Sequence, residues 1–265
     1  MPPDSAATPA FSLRGKVIIQ FGGTGLLGRA LVSAIGGAGA TLVVASRNRG
    51  ALEAVATAEC ARGCDTHVEE VDLGAEVSIR ALRDRVVARH GRIDGMVFNA
   101  VHRAMRGYGD DIATWKSSMD TNATGLFAAV RAIGDAMAER GSGSIVNIAS
   151  HMGMVGLHPA LYDSPAALPS PDYFFHKGGM INLTRYLASY YGARGVRANV
   201  VSPGGIFNPE RPQAPAFLQR YGPMTMLGRM AHAPEIGGAV VFLLSDASTY
   251  ITGVNLPVDG GYTAK

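Results

Sequence analysis

Short apolar runs alternating with longer amphipathic stretches constrain this chain more than any other feature. Val17-Ile18-Ile19-Gln20-Phe21, Thr41-Leu42-Val43-Val44-Ala45, residues 67–71, Gly95-Met96-Val97-Phe98, 144–149 and 196–201 each have the length of a strand. Helical apolar spacing fills the intervals at 26–35, 52–61, 77–90, a long stretch over 115–140, and the segment bearing Tyr173 and Lys177. Nearly continuous apolar strands separated by helices of ten or more residues predict an α/β fold, a parallel sheet covered on both faces. With 265 residues, 47% hydrophobic and 17% charged, the chain can bury one large core, so a single domain over 13–265 is expected. Residues 1–12, rich in Pro, Ala, Ser and Thr, read as a flexible tail. Two lid-like segments, 151–172 and 207–228, break the rhythm; the first contains Pro159, Pro165, Pro169 and Pro171.

The first strand runs into Gly22-Gly23-Thr24-Gly25-Leu26-Leu27-Gly28 and then the first helix. In that context G-x-G-x-x-G signals a dinucleotide: glycines let the backbone approach a pyrophosphate, and free N–H groups at the helix start attract its charge. Gly22, Thr24, Gly25, Leu27 and Gly28 are therefore cofactor-binding candidates. A carboxylate at the end of the second strand would read the ribose hydroxyls of NAD. Here that strand ends Ala45-Ser46-Arg47-Asn48. Ser46 leaves room for a 2′-phosphate and Arg47 can pair with it, which favours NADP over NAD. Arg47 as a solvated residue, or one stacked on adenine, stays open.

Tyr173 and Lys177 lie four apart, on one face of a helix, where the cation can stabilise a phenolate. Such a neighbour makes a phenol usable as an acid or base near neutrality. The spacing alone is common in helices.

Other chemistries find little support. The formal charge of +3 comes without a basic run interleaved with aromatics, so no nucleic-acid partner is expected. Cys60, Cys64 and His67 lack a fourth zinc ligand, so no metal site is expected. The start has no basic flank before an apolar stretch, and no apolar segment reaches the ~20 residues of a membrane helix, so a cytoplasmic protein without membrane association is expected.

Further motifs follow in order: Asn99-Ala100 after a strand, Thr121-Asn122-Ala123-Thr124-Gly125, Gly143 through Ser150, Tyr173 with Lys177, Ser202-Pro203-Gly204-Gly205-Ile206, Ile251-Thr252-Gly253 and Val258-Asp259-Gly260-Gly261. With them the chain resembles the one-domain short-chain dehydrogenase/reductase family from about residue 13 onward. The resemblance implies a doubly wound, Rossmann-type, seven-stranded parallel sheet. It implies Tyr173 as general acid/base, Ser150 as donor to the substrate oxygen, Lys177 lowering the Tyr173 pKa and binding the nicotinamide ribose, and Asn122 holding a water in a proton relay. It adds Asp72, Leu73, Asn99, Ala100, Tyr173, Pro203, Gly204 and Ile206 to the cofactor contacts, and implies a homotetramer or homodimer. Simpler roles remain open: Ser150 capping a turn, Asn122 satisfying a kinked helix, Asp72 capping a helix.

The chain departs from the family pattern at several points. Leu26 stands where the middle glycine is usual, Phe21 where Thr is common, Phe98 and Val101 flank Asn99-Ala100, and His176 precedes Lys177. About ten extra residues separate Ser150 from Tyr173, as in dehydrogenases of surface-sugar and flagellin-glycan biosynthesis, and should form a semi-rigid wall over the substrate. Around the expected mouth lie His102, Arg103, Arg106, His151, Arg211 and Arg220, each most simply an exposed loop charge, with Phe207, Phe217, Leu218 and Tyr221 as an apolar counterpart. The function expected is NAD(P)-dependent interconversion of a ketone and a secondary alcohol on a polar small molecule such as a sugar, polyol or cyclitol. The alternative is a catalytically silent dinucleotide-binding regulator or scaffold.

Overall fold

A computed structural model describes residues 10–265. The expected tail lies outside them up to residue 9. Its last three residues are tied down: the Ala10 carbonyl accepts from Ala247 N at 3.1 Å, and the Phe11 ring lies 5.9 Å from that of Phe242.

Seven strands form one parallel sheet: β1 (Val17–Phe21), β2 (Thr41–Ser46), β3 (Thr66–Glu70), β4 (Gly95–Phe98), β5 (Gly143–Ile148), β6 (Val196–Pro203) and β7 (Asn255–Val258), in the order β3-β2-β1-β4-β5-β6-β7. Every residue of β1 and β4 is buried, as a strand covered on both faces requires. The helices are α1 (Leu26–Gly37), α2 (Arg49–Ala61), α3 (Glu76–His90), α4 (Ile112–Met119), α5 (Gly125–Glu139), α6 (Pro171–Gly192), α7 (Pro215–Tyr221) and α8 (Pro234–Leu244). One core packs α3, α5 and α6 on the sheet through Ile79, Leu82, Ile133, Met180 and Leu187. The other packs α1, α2 and α8 through Leu31, Ile35, Leu52, Ile236 and Val240. Each such side chain, fully withdrawn from water, stabilises the fold by about 1.5–3 kcal/mol.

Two readings are refined. The helix expected over 115–140 is interrupted by a π-helical turn at Asp120–Thr124, between α4 and α5. Apolar periodicity does not register the one-residue slip of a π turn. The pair α8 and β7 at the end of the chain was not singled out as helix and strand, and β7 is only four residues long with Pro257 inside it. Pro257 is tolerated because β7 is an edge strand.

The chain fills one half of the sheet from β1 out to β3, then returns to place β4 beside β1. At that reversal the crossovers diverge at the carboxyl ends of β1 and β4 and leave a crevice, the usual ligand position in an open α/β sheet.

Candidate active site

The glycine turn occupies this crevice. Gly22 has φ +83°, and a Cβ there would lie 2.9 Å from Ala100 Cα; a Cβ on Gly28 would lie 2.9 Å from the Gly22 carbonyl oxygen. Neither position accepts a side chain, because any addition meets backbone. Gly25 precedes α1 without side-chain capping, and the space around it is open. Backbone N–H groups at this helix start are thus presented to the cleft, as a pyrophosphate needs. Gln20, fully buried in β1, braces the turn by donating Nε2 to the carbonyls of Gly22 at 3.0 Å and Gly28 at 2.9 Å; Asn99 Nδ2 also donates to Gly22 O at 3.0 Å. Gln20 escaped the sequence reading, although a lone polar residue in an apolar strand was its visible signal.

Two adjoining grooves follow the carboxyl edge of the sheet. One, of about 260 Å³, is lined by Gly22, Thr24, Ser46, Arg47, Leu73 and Ala100, among others. Asn48 lines it too, its side chain capping α2 by accepting from Ala51 N at 3.0 Å. Among the described residues no acidic side chain lines this groove. Asp72 is turned to its own loop, where Oδ1 accepts from Gly74 N at 3.0 Å. A larger cavity of about 560 Å³ opens at the opposite edge, around Lys16, Arg92 and Arg197. Lys16 and Arg92 are paired there with Asp246 and Asp94, and Arg197 donates to carbonyls of Leu243, Ser245 and Ile251.

The second groove of the crevice, about 340 Å³, is lined by Gly25, Leu27, Gly28, Asn99, Arg103, Ser150, Tyr173, Lys177, Pro203, Gly204 and Ile206. Ser150 follows β5, and its Oγ accepts from Met152 N at 3.2 Å and lies 3.5 Å from His151 Nδ1. Pro171 at the first position of α6 fixes where the helix starts, and Tyr173 and Lys177 follow one turn apart. The ammonium of Lys177 lies 5.7 Å from the centre of the Tyr173 ring and donates to Ile148 O at 2.6 Å. Burial first, and the Arg103 guanidinium second, push the Lys177 ammonium down to about 7.

Asn122, on the π turn, clamps the loop after β4: Oδ1 accepts from His102 N at 2.8 Å, while Nδ2 donates to His102 O at 2.7 Å and Ser118 Oγ at 3.0 Å. Both amide hydrogens are spent, so only a lone pair of Oδ1 remains for a water. Ser118 Oγ in turn donates to the buried carboxylate of Asp172. His176 is buried beside Tyr173, its ring edge-on at 5.3 Å and neither nitrogen partnered. Burial first, then the Lys177 charge, push His176 down to about 4.

The six mouth residues separate. His151 is not at the mouth but buried, because Nδ1 finds a partner in Pro203 O at 3.2 Å and its ring packs edge-on against Tyr262 at 4.7 Å. Arg220 donates to Leu161 O at 3.1 Å and to Asp163 at 2.7 Å, latching the first lid-like segment to α7 on the second. His102 Nε2 lies 3.4 Å from Ser117 Oγ; Arg106 and Arg211 are exposed outside both grooves. Arg103 lines the cleft, with Cζ 5.1 Å from the centre of the Tyr173 ring.

The two lid-like segments share an apolar cluster. Leu161 and Tyr162 pack with Phe207, Phe217, Leu218, Tyr221, Met230 and the C-terminal Tyr262. Ring centres are separated by 5.7 Å for Tyr162–Phe217, 5.7 Å for Phe217–Tyr221 and 5.5 Å for Tyr221–Tyr262. The first segment meets α6 at Gly153, where a Cβ would lie 2.7 Å from the Lys177 carbonyl carbon.

A glycine turn at the reversal of a seven-stranded parallel sheet, continuous with a cleft holding a hydroxyl, a phenol and an ammonium, defines a dinucleotide-dependent oxidoreductase. The chain belongs to the short-chain dehydrogenase/reductase family: residues 25–263 match a family model described as enoyl-(acyl carrier protein) reductase. It is 34% identical over 265 residues to the D-threitol dehydrogenase of Mycolicibacterium smegmatis, covering 96% of this chain and 95% of that protein. Among solved structures it resembles a gluconate 5-dehydrogenase from Burkholderia cenocepacia in complex with NADP and tartrate, with 28% identity, a TM-score of 0.87 and coverage of 98% and 99%. It also resembles an NAD+-bound xylitol dehydrogenase, with 26% identity, a TM-score of 0.84 and coverage of 94% and 99%. Among the described residues no helix is long and apolar enough to cross a membrane.

Proposed function

We propose that the protein oxidises a secondary hydroxyl of an acyclic polyol to the ketone, and the reverse, with NADP(H) as the preferred cofactor. The observation that carries this reading is the single cleft that Ser150, Tyr173 and Lys177 line opposite the glycine turn. The threitol, gluconate and xylitol enzymes to which the chain is similar support the polyol class. The glycines of the turn, Ser46, Arg47, Leu73, Asn99, Ala100, Pro203, Gly204 and Ile206 would hold the cofactor, as the close-packed backbone at Gly22 and Gly28 and the open space at Gly25 allow. Bound there, a nicotinamide dinucleotide supplies the hydride acceptor or donor.

Within that frame the side chains handle the proton. During oxidation the phenolate oxygen of Tyr173 takes the substrate hydroxyl proton; during reduction the phenol returns it. Ser150 donates its hydroxyl proton to the substrate oxygen and holds it beside Tyr173. Lys177, beside Tyr173, would bind the nicotinamide ribose, and Asn122 acts through the loop it clamps. Arg47 without a neighbouring carboxylate in its groove supports NADP over NAD. Exposed Phe127, Tyr186 and Tyr190 on α5 and α6 support assembly as a homotetramer through these helices, which light scattering checks.

The test is a titration of the protein with NADPH and NADH followed by nicotinamide fluorescence, then alditol-dependent reduction of NADP+ followed at 340 nm. Cofactor binding together with turnover of at least one alditol is expected. Failure to bind either dinucleotide would remove the dehydrogenase reading; turnover confined to alcohols without further hydroxyls would remove the polyol class.

A further inference from the structure

Arg103 differs from Lys177, the other cation that lines the catalytic cleft. It lines the catalytic cleft together with Ser150, Tyr173 and Lys177, and no hydrogen bond or ion pair engages its guanidinium among the described residues. Other arginines around the fold are mostly paired with carboxylates, as Arg220 is with Asp163 and Arg229 with Glu235. Among the described residues the cleft is lined by two cations and by no Asp or Glu. Lys177 already donates to Ile148 O and sits at the foot of Tyr173. Arg103 is the cation left over.

The placement of this side chain is built into the fold. Asn122 pins the preceding residue, His102, through both its backbone N–H and its carbonyl, and Met105 two residues later is buried. Arg103 is thus carried on a short span fixed at each end, and its guanidinium lies 5.1 Å from the centre of the Tyr173 ring. A guanidinium over an aromatic face retains its in-plane N–H donors for a second partner. Two cations in one cleft repel each other, and the Lys177 ammonium is held down by its burial first and by the Arg103 charge second. An anion entering beside Tyr173 would relieve the repulsion and take up the free donors.

We propose that Arg103 is the anion-recognising residue of the substrate site, so that the preferred substrate is a polyol carrying a carboxylate or a phosphate near the reacting carbinol. The inference rests on the polyol reading of the cleft and narrows it to anionic members. It also assigns Asn122 a second duty, because the residue that steadies the floor of the site sets the register of the residue that selects the ligand.

Binding of one carbon skeleton in three charge states provides the test. Threitol, threonate and threitol 4-phosphate are titrated by calorimetry into the enzyme saturated with NADP+, using the wild-type protein, Arg103→Gln and Arg103→Lys. At least one anion should bind the wild type about tenfold or more tightly than threitol. Arg103→Gln should reduce that anion to the level of threitol while leaving threitol itself unchanged, and Arg103→Lys should keep part of the preference. Whichever anion is favoured identifies carboxylate or phosphate as the group read. Equal binding of all three by the wild type, or absence of binding by both anions, overturns the proposal. So does an Arg103→Gln variant that weakens threitol and the anions alike, since that points to an effect through Tyr173, or one whose loss appears in the NADP+ affinity instead. A protein that binds neither NADP+ nor NAD+ fails at the earlier step, and removes the dehydrogenase reading together with this one.

Discussion

The floor of the active site and the wall beside it are built by different means. The floor, comprising the glycine turn, Ser150, Tyr173 and Lys177, stands on strand ends and on α6, whose neighbours are the buried cores on either face of the sheet. The wall is made from the two lid-like segments and the C-terminal Tyr262, joined by a small aromatic cluster and by the Arg220 latch. Groups that exchange protons have to be held to fractions of an ångström, and regular elements provide that. A surface that selects among ligands tolerates looser support, and variation in loops changes it without disturbing the scaffold. The difference predicts that variants of the floor alter turnover or cofactor choice, whereas variants of the wall alter substrate affinity.

Tyr173→Phe should break the floor most severely. It removes the proton carrier and leaves the ring, so turnover should fall about 10³-fold with cofactor affinity unchanged, measured by steady-state kinetics and fluorescence titration. Arg47→Asp acts at the far end of the floor. It should shift the NADP:NAD preference in kcat/KM by about 10²-fold toward NAD, and an unchanged ratio would mean that Arg47 does not meet a 2′-phosphate.

His176→Phe tests what lies directly behind the phenol. The folded imidazole titrates at about 4 and an unfolded one near 6.5, so between these values the unfolded chain binds the extra proton. Stability from this site is therefore complete above about pH 6.5 and is lost as the pH falls toward 4, by roughly 2–3 kcal/mol. Denaturant melts at pH 7 and pH 4.5 should show a smaller acid loss in His176→Phe than in the wild type. Arg220→Ala addresses the wall alone and should produce the smallest effect. It frees Leu161 O and Asp163 from α7, so KM for the substrate should rise by up to about tenfold with kcat nearly constant; an equal fall in kcat would mean that the wall also aligns the chemistry.

The contrast also separates what the sequence could reveal from what it could not. The strands of the floor were readable because burial on both faces leaves nearly unbroken apolar runs, and the glycine turn because Gly22 and Gly28 exclude a Cβ. The paired positions of Tyr173 and Lys177 follow from helical periodicity once Pro171 fixes the start of α6. Asn122 was visible as a residue, but the π turn that aims it at His102 depends on a hydrogen-bond slip with no compositional mark. The wall was visible only as an interruption rich in proline. That Arg220 reaches back to Leu161, that His151 turns inward to Tyr262 and that Arg103 turns over Tyr173 are tertiary facts; six similar polar residues around the mouth carry no sign of which will be paired, buried or free.

A crystal structure of the ternary complex with NADP+ and a polyol substrate tests the division between floor and wall most directly. The account predicts the pyrophosphate against Gly22–Gly28, the 2′-phosphate at Ser46 and Arg47, and the reacting oxygen within hydrogen-bond reach of both Ser150 Oγ and the Tyr173 phenol. The remainder of the substrate should extend toward Arg103 and the Phe207–Tyr221 side of the wall. A dinucleotide seated elsewhere, or a polyol whose reacting oxygen meets neither Ser150 nor Tyr173, would contradict it.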